Sequence, residues 1–268
     1  MMDYIKHKKK ADKLIAEANC IFHLDYNDAK RGGDMCESLT TSKARKVMID
    51  HHPYPQLKVD YALSFTEACS TAELIYEFIV ATGMAKHLNK DVATCIYTGI
   101  MTDTGCFSYN SSRSRTFEIV AELLGYSIEK DDIYRKIYDN FSEQRMRLLG
   151  FCINNKLQVF PKYRTALISL SLEEQKKYNF SPGDSEGIVN YPLSITGVCF
   201  TAMFIEKKDK VKISFRSRGS FPVNIFSEKH FQGGGHLNAA GGDLQLSLDE
   251  TIKKFIDLLP TYAEELNA

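Results

Sequence analysis

Three short segments of the chain end on side chains able to hold a divalent cation. Val47-Met48-Ile49 runs into Asp50-His51-His52-Pro53, and Cys20-Ile21-Phe22-His23-Leu24 runs into Asp25-Tyr26-Asn27-Asp28. Further on, the apolar stretch from Cys95 to Thr102 runs into Asp103-Thr104-Gly105. In parallel α/β sheets, ligands and metals gather beyond the carboxyl ends of the strands. The three segment ends therefore predict one shared metal site, with Asp25, His51 and Asp103 as its ligands. Two carboxylates select a hard cation, and the single imidazole shifts the preference toward Mn²⁺, with Mg²⁺ also accommodated. A pair of such ions about 3.5–4 Å apart clamps a phosphoester and lowers the pKa of a bridging water. His52, beside a ligand, is placed to hydrogen-bond substrate or leaving oxygen. Asp50 is expected to hold the loop or orient an imidazole from behind. An isolated Asp at a strand end is ordinarily a cap or turn former, and Asp28 and Asp34 are assigned to solvent on that ground. The conjunction of three clusters is what favours metal.

A second signal lies at Phe231-Gln232-Gly233-Gly234-Gly235-His236-Leu237-Asn238-Ala239-Ala240. Successive glycines let backbone approach a ligand closely and aim N–H groups at a phosphate. His236 adds a directed donor, and a helix started by Ala239-Ala240 would place a favourable N-terminus there. Arg216-Ser217, at the end of an expected strand, adds a guanidinium suited to bidentate phosphate contact. Arg216, Ser217, Gly233, Gly234, Gly235, His236 and Asn238 are thus the candidate substrate-binding residues. The competing reading is a flexible hairpin loop. No Lys-Ser/Thr follows the glycines, so this is not a nucleoside-triphosphate loop.

The elements that must position these groups alternate in the first half of the chain. Residues 7–18 have an amphipathic helical pattern, while 20–24 and 46–50 look like buried strands. Ser70-Thr71-Ala72-Glu73 has capping-box spacing and predicts a helix running to about Gly83. Lys90 to Ile100 reads as a buried helix leading to the Asp103 turn. Thr116–Leu124 and Asp131 to about Gly150 read as two more helices. After residue 150 strands dominate: 157–160, 165–170, 196–205 and 211–216, the last two as an antiparallel hairpin turning at 207–210. A helix over 249–259 follows. The expectation is an α/β chain with a parallel-sheet domain over 1–150, then a smaller α+β domain over 151–268 with a mixed or antiparallel sheet.

Composition excludes several classes. With 268 residues, 44% hydrophobic and 25% charged, the chain has the balance of a globular protein of one large or two modest domains. Lys plus Arg and Asp plus Glu are equal at 34 each, so no global field draws in long polyanions. Any nucleic-acid partner is expected to be short. The seven cysteines have no CxxC pair and read as reduced thiols. No apolar run reaches the roughly 18–20 residues a membrane span needs, and no apolar signal core follows the basic start. A cytoplasmic location with no membrane partner is expected.

Taken together, these motifs resemble the DHH/DHHA1 phosphoesterase family, in its oligoribonuclease and 3′-phosphoadenosine 5′-phosphate (pAp) phosphatase branch. Asp50-His51-His52 is similar to the family's naming motif, Leu24-Asp25-Tyr26-Asn27 to the aspartate motif before it, and Gly99 to Gly105 to the later one. Gly187-Ile188-Val189-Asn190, Phe215-Arg216-Ser217 and Gly233-Gly234-Gly235-His236 resemble the DHHA1 domain. The resemblance covers nearly the whole chain. It implies a two-domain, Mn²⁺-dependent enzyme cutting short single-stranded RNA or dinucleotides to 5′-mononucleotides, and also pAp. It implies that Asp25 bridges the metals, that His51 and Asp103 complete the second metal site, and that Arg216 and His236 grip phosphate. The family opens on an Asp-His-x-x-Pro-Asp-Gly-Asp type motif, which residues 1–24 do not contain. The chain is accordingly expected to be a truncated reading of a longer enzyme. The alternatives are an inactive or weakly active nucleotide-binding derivative, or a pyrophosphatase or exopolyphosphatase-like hydrolase. A homodimer joined through an exposed sheet edge is the expected self-association.

Overall fold

The computed structural model describes residues 3–268, and the chain divides into two units, Met1–Asp139 and Asn140–Ala268. The first opens on helix α1 (Lys8–Glu17), strand β1 (Cys20–Leu24), helix α2 (Cys36–Thr41), strand β2 (Arg45–Asp50) and strand β3 (Tyr61–Ser64). The sheet order is β1-β2-β3 with both pairings parallel, Leu24 opposite Ile49 and Asp50 opposite Ser64. β3 escapes the sequence pattern because it is four residues long and its burial shows no alternation.

Helix α3 (Thr71–Ala81) starts where the capping box predicts, with Ser70 Oγ accepting from the Glu73 N–H. Leu74 packs with Ile49 and Ala68 to form the core between sheet and helix. Helix α4 (Lys90–Asp103), capped by Asn89, extends to Asp103 itself. The third acidic cluster therefore ends a helix, not a strand. Its buried residues Ala93, Ile96, Tyr97, Ile100 and Met101 recur at helical spacing, forming one stripe along α4. That stripe packs on α5 (Ser114–Leu124) and α6 (Lys130–Tyr138). Where α3 and α4 cross, a Cβ on Gly99 would lie 2.6 Å from the Ala72 Cβ. Glycine is what lets the two helices approach so closely.

The expected helix over 131–150 is two helices, α6 and α7 (Glu143–Phe151), parted at 139–142. The break is local chemistry: Ser142 caps α7 by accepting from the Arg145 N–H. The second unit continues with β4 (Gln158–Phe160), β5 (Thr165–Leu170), α8 (Leu172–Lys177), β6 (Phe200–Glu206), β7 (Val211–Ser217), α9 (Val223–Phe231), β8 (Gly234–His236), β9 (Ala239–Leu244) and α10 (Leu248–Leu258). Its sheet is mixed, in the order β4-β5-β6-β7-β9-β8, with β5–β6 parallel and the other pairs antiparallel. Along β7, Val211, Ile213 and Phe215 are buried while the residues between them are not, the period-two pattern of a sheet with one face covered. A cluster of phenylalanines, Phe200, Phe204, Phe215, Phe226, Phe231 and Phe255, fills the space beneath. Among the described residues, no helix is long and apolar enough to cross a membrane.

Two expectations in this unit are overturned. The glycine segment is largely a strand, β8, and Ala239-Ala240 opens strand β9 instead of a helix. The reason is packing between α9 and this hairpin. Ser227 on α9 donates to the Gly241 carbonyl, and a Cβ on Gly233 would sit 1.8 Å from that same oxygen. Gly235 has φ 149°, and a Cβ there would meet the Ala239 carbonyl at 2.4 Å. Bare backbone is needed where helix and hairpin touch.

Candidate metal centre

Asp25 follows β1 directly, and its N–H still donates to the Ile49 carbonyl, extending the parallel ladder by one bond. Its backbone then turns into the left-handed region, φ 65°, a conformation that Asp tolerates better than most residues. Asp50 closes β2, so that His51 and His52 emerge from the carboxyl end of the central strand. Asp103 arrives at the last position of α4. Two strand ends and a helix end thus converge. His51 Nε2 lies 3.4 Å from Asp103 Oδ2 and 3.9 Å from Asp25 Oδ1. One donor atom from each of the three lies within 4.8 Å of the others.

Asp25 belongs to a second group of the same kind, with Asp50 and His52. Asp50 is fully buried and spends both carboxylate oxygens on His52: Oδ1 faces the ring Nδ1 at 2.8 Å, and Oδ2 accepts the backbone N–H at 3.0 Å. Asn27 pins the same segment from the other side, donating to the carbonyls of His52 and Pro53. His52 is therefore fixed in backbone and in ring.

The protonation of His51 follows from its neighbour. Its Nδ1 is 3.2 Å from the Ala68 carbonyl, which can only accept, so Nδ1 carries the proton. Nε2 then faces two carboxylates. Three acceptors pointed at one another repel unless a proton or a cation sits among them, and this donor set of two carboxylates and an imidazole fits a hard divalent cation. The Asp103 carboxyl is raised above the ordinary carboxylate range. Burial is the main cause, the Asp25 charge adds to it, and His51 and His52 oppose it. Its side chain keeps 42% exposure, so the desolvation is partial.

In the second unit, Arg216, Ala239 and His236 share one cross-strand row of β7, β9 and β8. Residues in one row project from the same face of a sheet. Phe215, Ala240 and Gly235 form the next row, and Phe215 belongs to the core, so Arg216 and His236 belong to the opposite face. Ser217 and Asn238 fasten the strand ends: Asn238 Nδ2 donates to Ser217 Oγ and to the Gly219 carbonyl, and Ser217 Oγ donates to the Phe221 carbonyl. Of the three glycines, Gly233 and Gly235 are required by packing, whereas a Cβ on Gly234 would enter open space.

Some neighbours of the centre escaped the sequence reading. Thr71 Oγ1 donates to Asp25 Oδ1 at 2.7 Å, and the Ala68 carbonyl accepts from His51. The capping-box pattern marks Thr71 as the first residue of a helix but carries no sign that its hydroxyl meets Asp25. A backbone carbonyl leaves no mark in a sequence at all.

Comparison with known proteins matches residues 1–100 to the DHH family, N-terminal domain, and residues 165–265 to the DHHA1 domain. Asp25, His51 and His52 lie in the first match, and Arg216 through Asn238 in the second. A protein of Bacillus subtilis described as the bifunctional oligoribonuclease and PAP phosphatase NrnA is 28% identical over 218 residues, 81% of this chain and 68% of that protein. Its namesake in Thermus thermophilus is 26% identical, over 79% of this chain and 62% of that protein. The chain thus spans only about two thirds of the length of these relatives. The crystal structure of an exopolyphosphatase-related protein from Bacteroides fragilis superposes with a TM-score of 0.97 at 45% identity, covering all of this chain and 78% of that one.

Proposed function

This chain belongs to the DHH/DHHA1 family of phosphoesterases, and from that premise we propose that it serves a Mn²⁺-dependent hydrolase of short oligoribonucleotides that releases 5′-mononucleotides and also takes pAp. The observation that carries the reading is the convergence of Asp25, His51 and Asp103. Two carboxylates and the acceptor nitrogen of one imidazole face one another there, a donor set that suits a hard divalent cation. The names of the Bacillus and Thermus relatives support the substrate class.

In this reading Asp25, His51 and Asp103 hold the metal, Mn²⁺ by preference and Mg²⁺ as a substitute. The chemistry such a cation supplies is Lewis acidity, which makes water more acidic and offsets charge on the phosphoester. His52, as the imidazolium, passes its Nε2 proton to the leaving oxygen and is left neutral, with the Nδ1 proton still on the side of Asp50. Asp50 makes that possible by holding the ring through Nδ1, so that the other nitrogen is the one presented. Arg216 and His236 hold substrate phosphate, and the Gly234 backbone is the part of the glycine segment open to a ligand. Ser217 and Asn238 keep that surface in shape. Self-association through the outer edge of β1, where Phe22 and Leu24 are 47% and 43% exposed, is the oligomeric arrangement we attach to it. Light scattering on the eluted protein tests that arrangement.

The deciding experiment incubates the protein with Mn²⁺ and a 5′-phosphorylated diadenylate, with pAp in parallel and with Asp103→Ala as control. Mononucleotide release that chelation and Asp103→Ala both abolish is the expected result. Release that survives either treatment sinks the proposal. A second reading, exopolyphosphatase action, is favoured by the description of the Bacteroides relative. It predicts orthophosphate release from polyphosphate at a rate above that on the dinucleotide.

A further inference from the structure

We propose that the turn Ala68–Thr71 is a positioning element for the metal centre, and that Glu73 is buried to hold that turn in place. The inference rests on the metal reading of Asp25, His51 and Asp103 given above. Two contacts to two different ligands come from this one stretch of backbone. At its start, the Ala68 carbonyl accepts from His51 Nδ1 and so sets which imidazole nitrogen faces the carboxylates. At its end, Thr71 Oγ1 donates to Asp25 Oδ1, the oxygen that faces His51 Nε2. The two contacts lie three positions apart, so any tilt of the turn moves both ligands together. The turn is sealed from solvent, with Ala68, Cys69, Ser70 and Thr71 all buried.

Glu73 fixes the turn from inside. It is 1% exposed, yet it carries a carboxylate with a partner on every side. Oε2 accepts the Cys69 N–H at 3.2 Å and the Thr116 hydroxyl at 2.8 Å, while Oε1 pairs with Arg113 at 2.7 Å. Its own N–H donates to Ser70 Oγ. An ordinary capping box returns the acidic side chain to the N-cap N–H. Here it reaches one residue further back, to Cys69, beside the carbonyl that holds His51. A buried carboxylate is costly unless all its acceptor positions are used. This one is satisfied by groups on the turn and by two residues at the start of α5 and just before it, which ties the turn to the helical core. The Asn110 amide also donates to the Ala68 carbonyl, adding the loop after Asp103 to the same anchor. Partners of this kind fix ligand orientation, and their loss typically weakens metal binding about 10–100-fold.

The test measures Mn²⁺ binding to metal-free protein, reading free Mn²⁺ by its paramagnetic resonance signal, alongside the thermal midpoint. Thr71→Val keeps shape and burial but removes the donor, and is expected to weaken Mn²⁺ binding about 10–100-fold with an unchanged midpoint. Thr71→Ser restores the hydroxyl and should restore binding. Glu73→Gln, which touches neither ligand, should weaken binding in the same direction. If Thr71→Val binds as wild type does while Asp103→Ala loses the ion, the positioning role is wrong and the metal centre stands. If wild type and Asp103→Ala bind alike, the metal reading falls and takes this inference with it.

Discussion

Gly233 and Gly234 are neighbours in sequence, yet the structure assigns them opposite responses to the same substitution. A Cβ on Gly233 would lie 1.8 Å from the Gly241 carbonyl, 2.3 Å from Ser227 Oγ and 2.6 Å from the Gly242 Cα, against the 3.4 Å at which ordinary contact begins. Two of those atoms are backbone of β9, so no side chain can swing aside. Overpacking of this kind costs about 1–3 kcal/mol. The displaced strand also gives up the Ser227 hydrogen bond to Gly241, about 1 kcal/mol more. Alanine returns about 0.4–1 kcal/mol by restricting the unfolded chain. The net loss for Gly233→Ala is therefore about 1–3.6 kcal/mol, and at about 2–4 °C per kcal/mol the thermal midpoint should fall by about 2–14 °C. At Gly234 the new methyl meets nothing within 4 Å, so only the unfolded-state gain remains and the midpoint should hold or rise slightly. Melting curves followed by circular dichroism measure both. If Gly234→Ala keeps its midpoint but hydrolyses the diadenylate more slowly, the methyl is obstructing a ligand. A Gly233→Ala protein that melts with wild type would refute the packing account, and equal losses at both positions would refute the distinction between them.

Three further outcomes are expected. Gly99→Ala places its Cβ 2.6 Å from that of Ala72 and pushes α4 off α3; it should cost about 1–3 kcal/mol and weaken Mn²⁺ binding by displacing Asp103, both readable on one sample by melting and metal titration. His23 is 1% exposed, with no partner for Nε2, and burial, assisted by the Lys46 charge, holds its pKa below the usual 6.5. The folded state therefore resists a proton that the unfolded chain accepts, so stability is complete above pH 6.5 and declines as pH drops below it. His230 shifts in the same direction, and the midpoint of metal-free His23→Gln should vary less between pH 7 and pH 5 than that of wild type; an equal slope would acquit His23. Finally, burial pushes the Cys69 thiol up to about 12 and the Cys152 thiol to about 11, while Cys20, Cys95 and Cys106 are exposed. A thiol reagent at pH 8 should label three cysteines rapidly in native protein and all seven after denaturation; fast labelling of Cys69 would contradict the burial of its turn.

Much of the centre was legible because it is written locally. Asp25 and the Asp50-His51-His52 run sit directly after short apolar segments of strand length, a pattern confined to a few neighbouring residues. The capping spacing of Ser70 and Glu73 likewise predicts the start of α3 from four residues. Asp103 was expected in a turn just beyond a buried helix, whereas the helix runs on to Asp103 itself, because the end of a helix is marked less sharply in a sequence than its start.

What sequence alone determined about this protein is which chemical groups stand at the ends of its elements, and hence which side chains are candidates to hold a hard cation. Only the tertiary structure decided that Gly233, just before β8, serves the seat of α9, that α6 and α7 are separate helices, and that the Ala68–Thr71 turn touches both His51 and Asp25. The physical reason is range. Capping, alternation and strand-end placement depend on residues within a few positions of one another. The Gly233–Gly241 approach, the Gly99–Ala72 crossing and the Thr71–Asp25 hydrogen bond join residues 8, 27 and 46 positions apart, and no local pattern specifies which distant backbone will arrive.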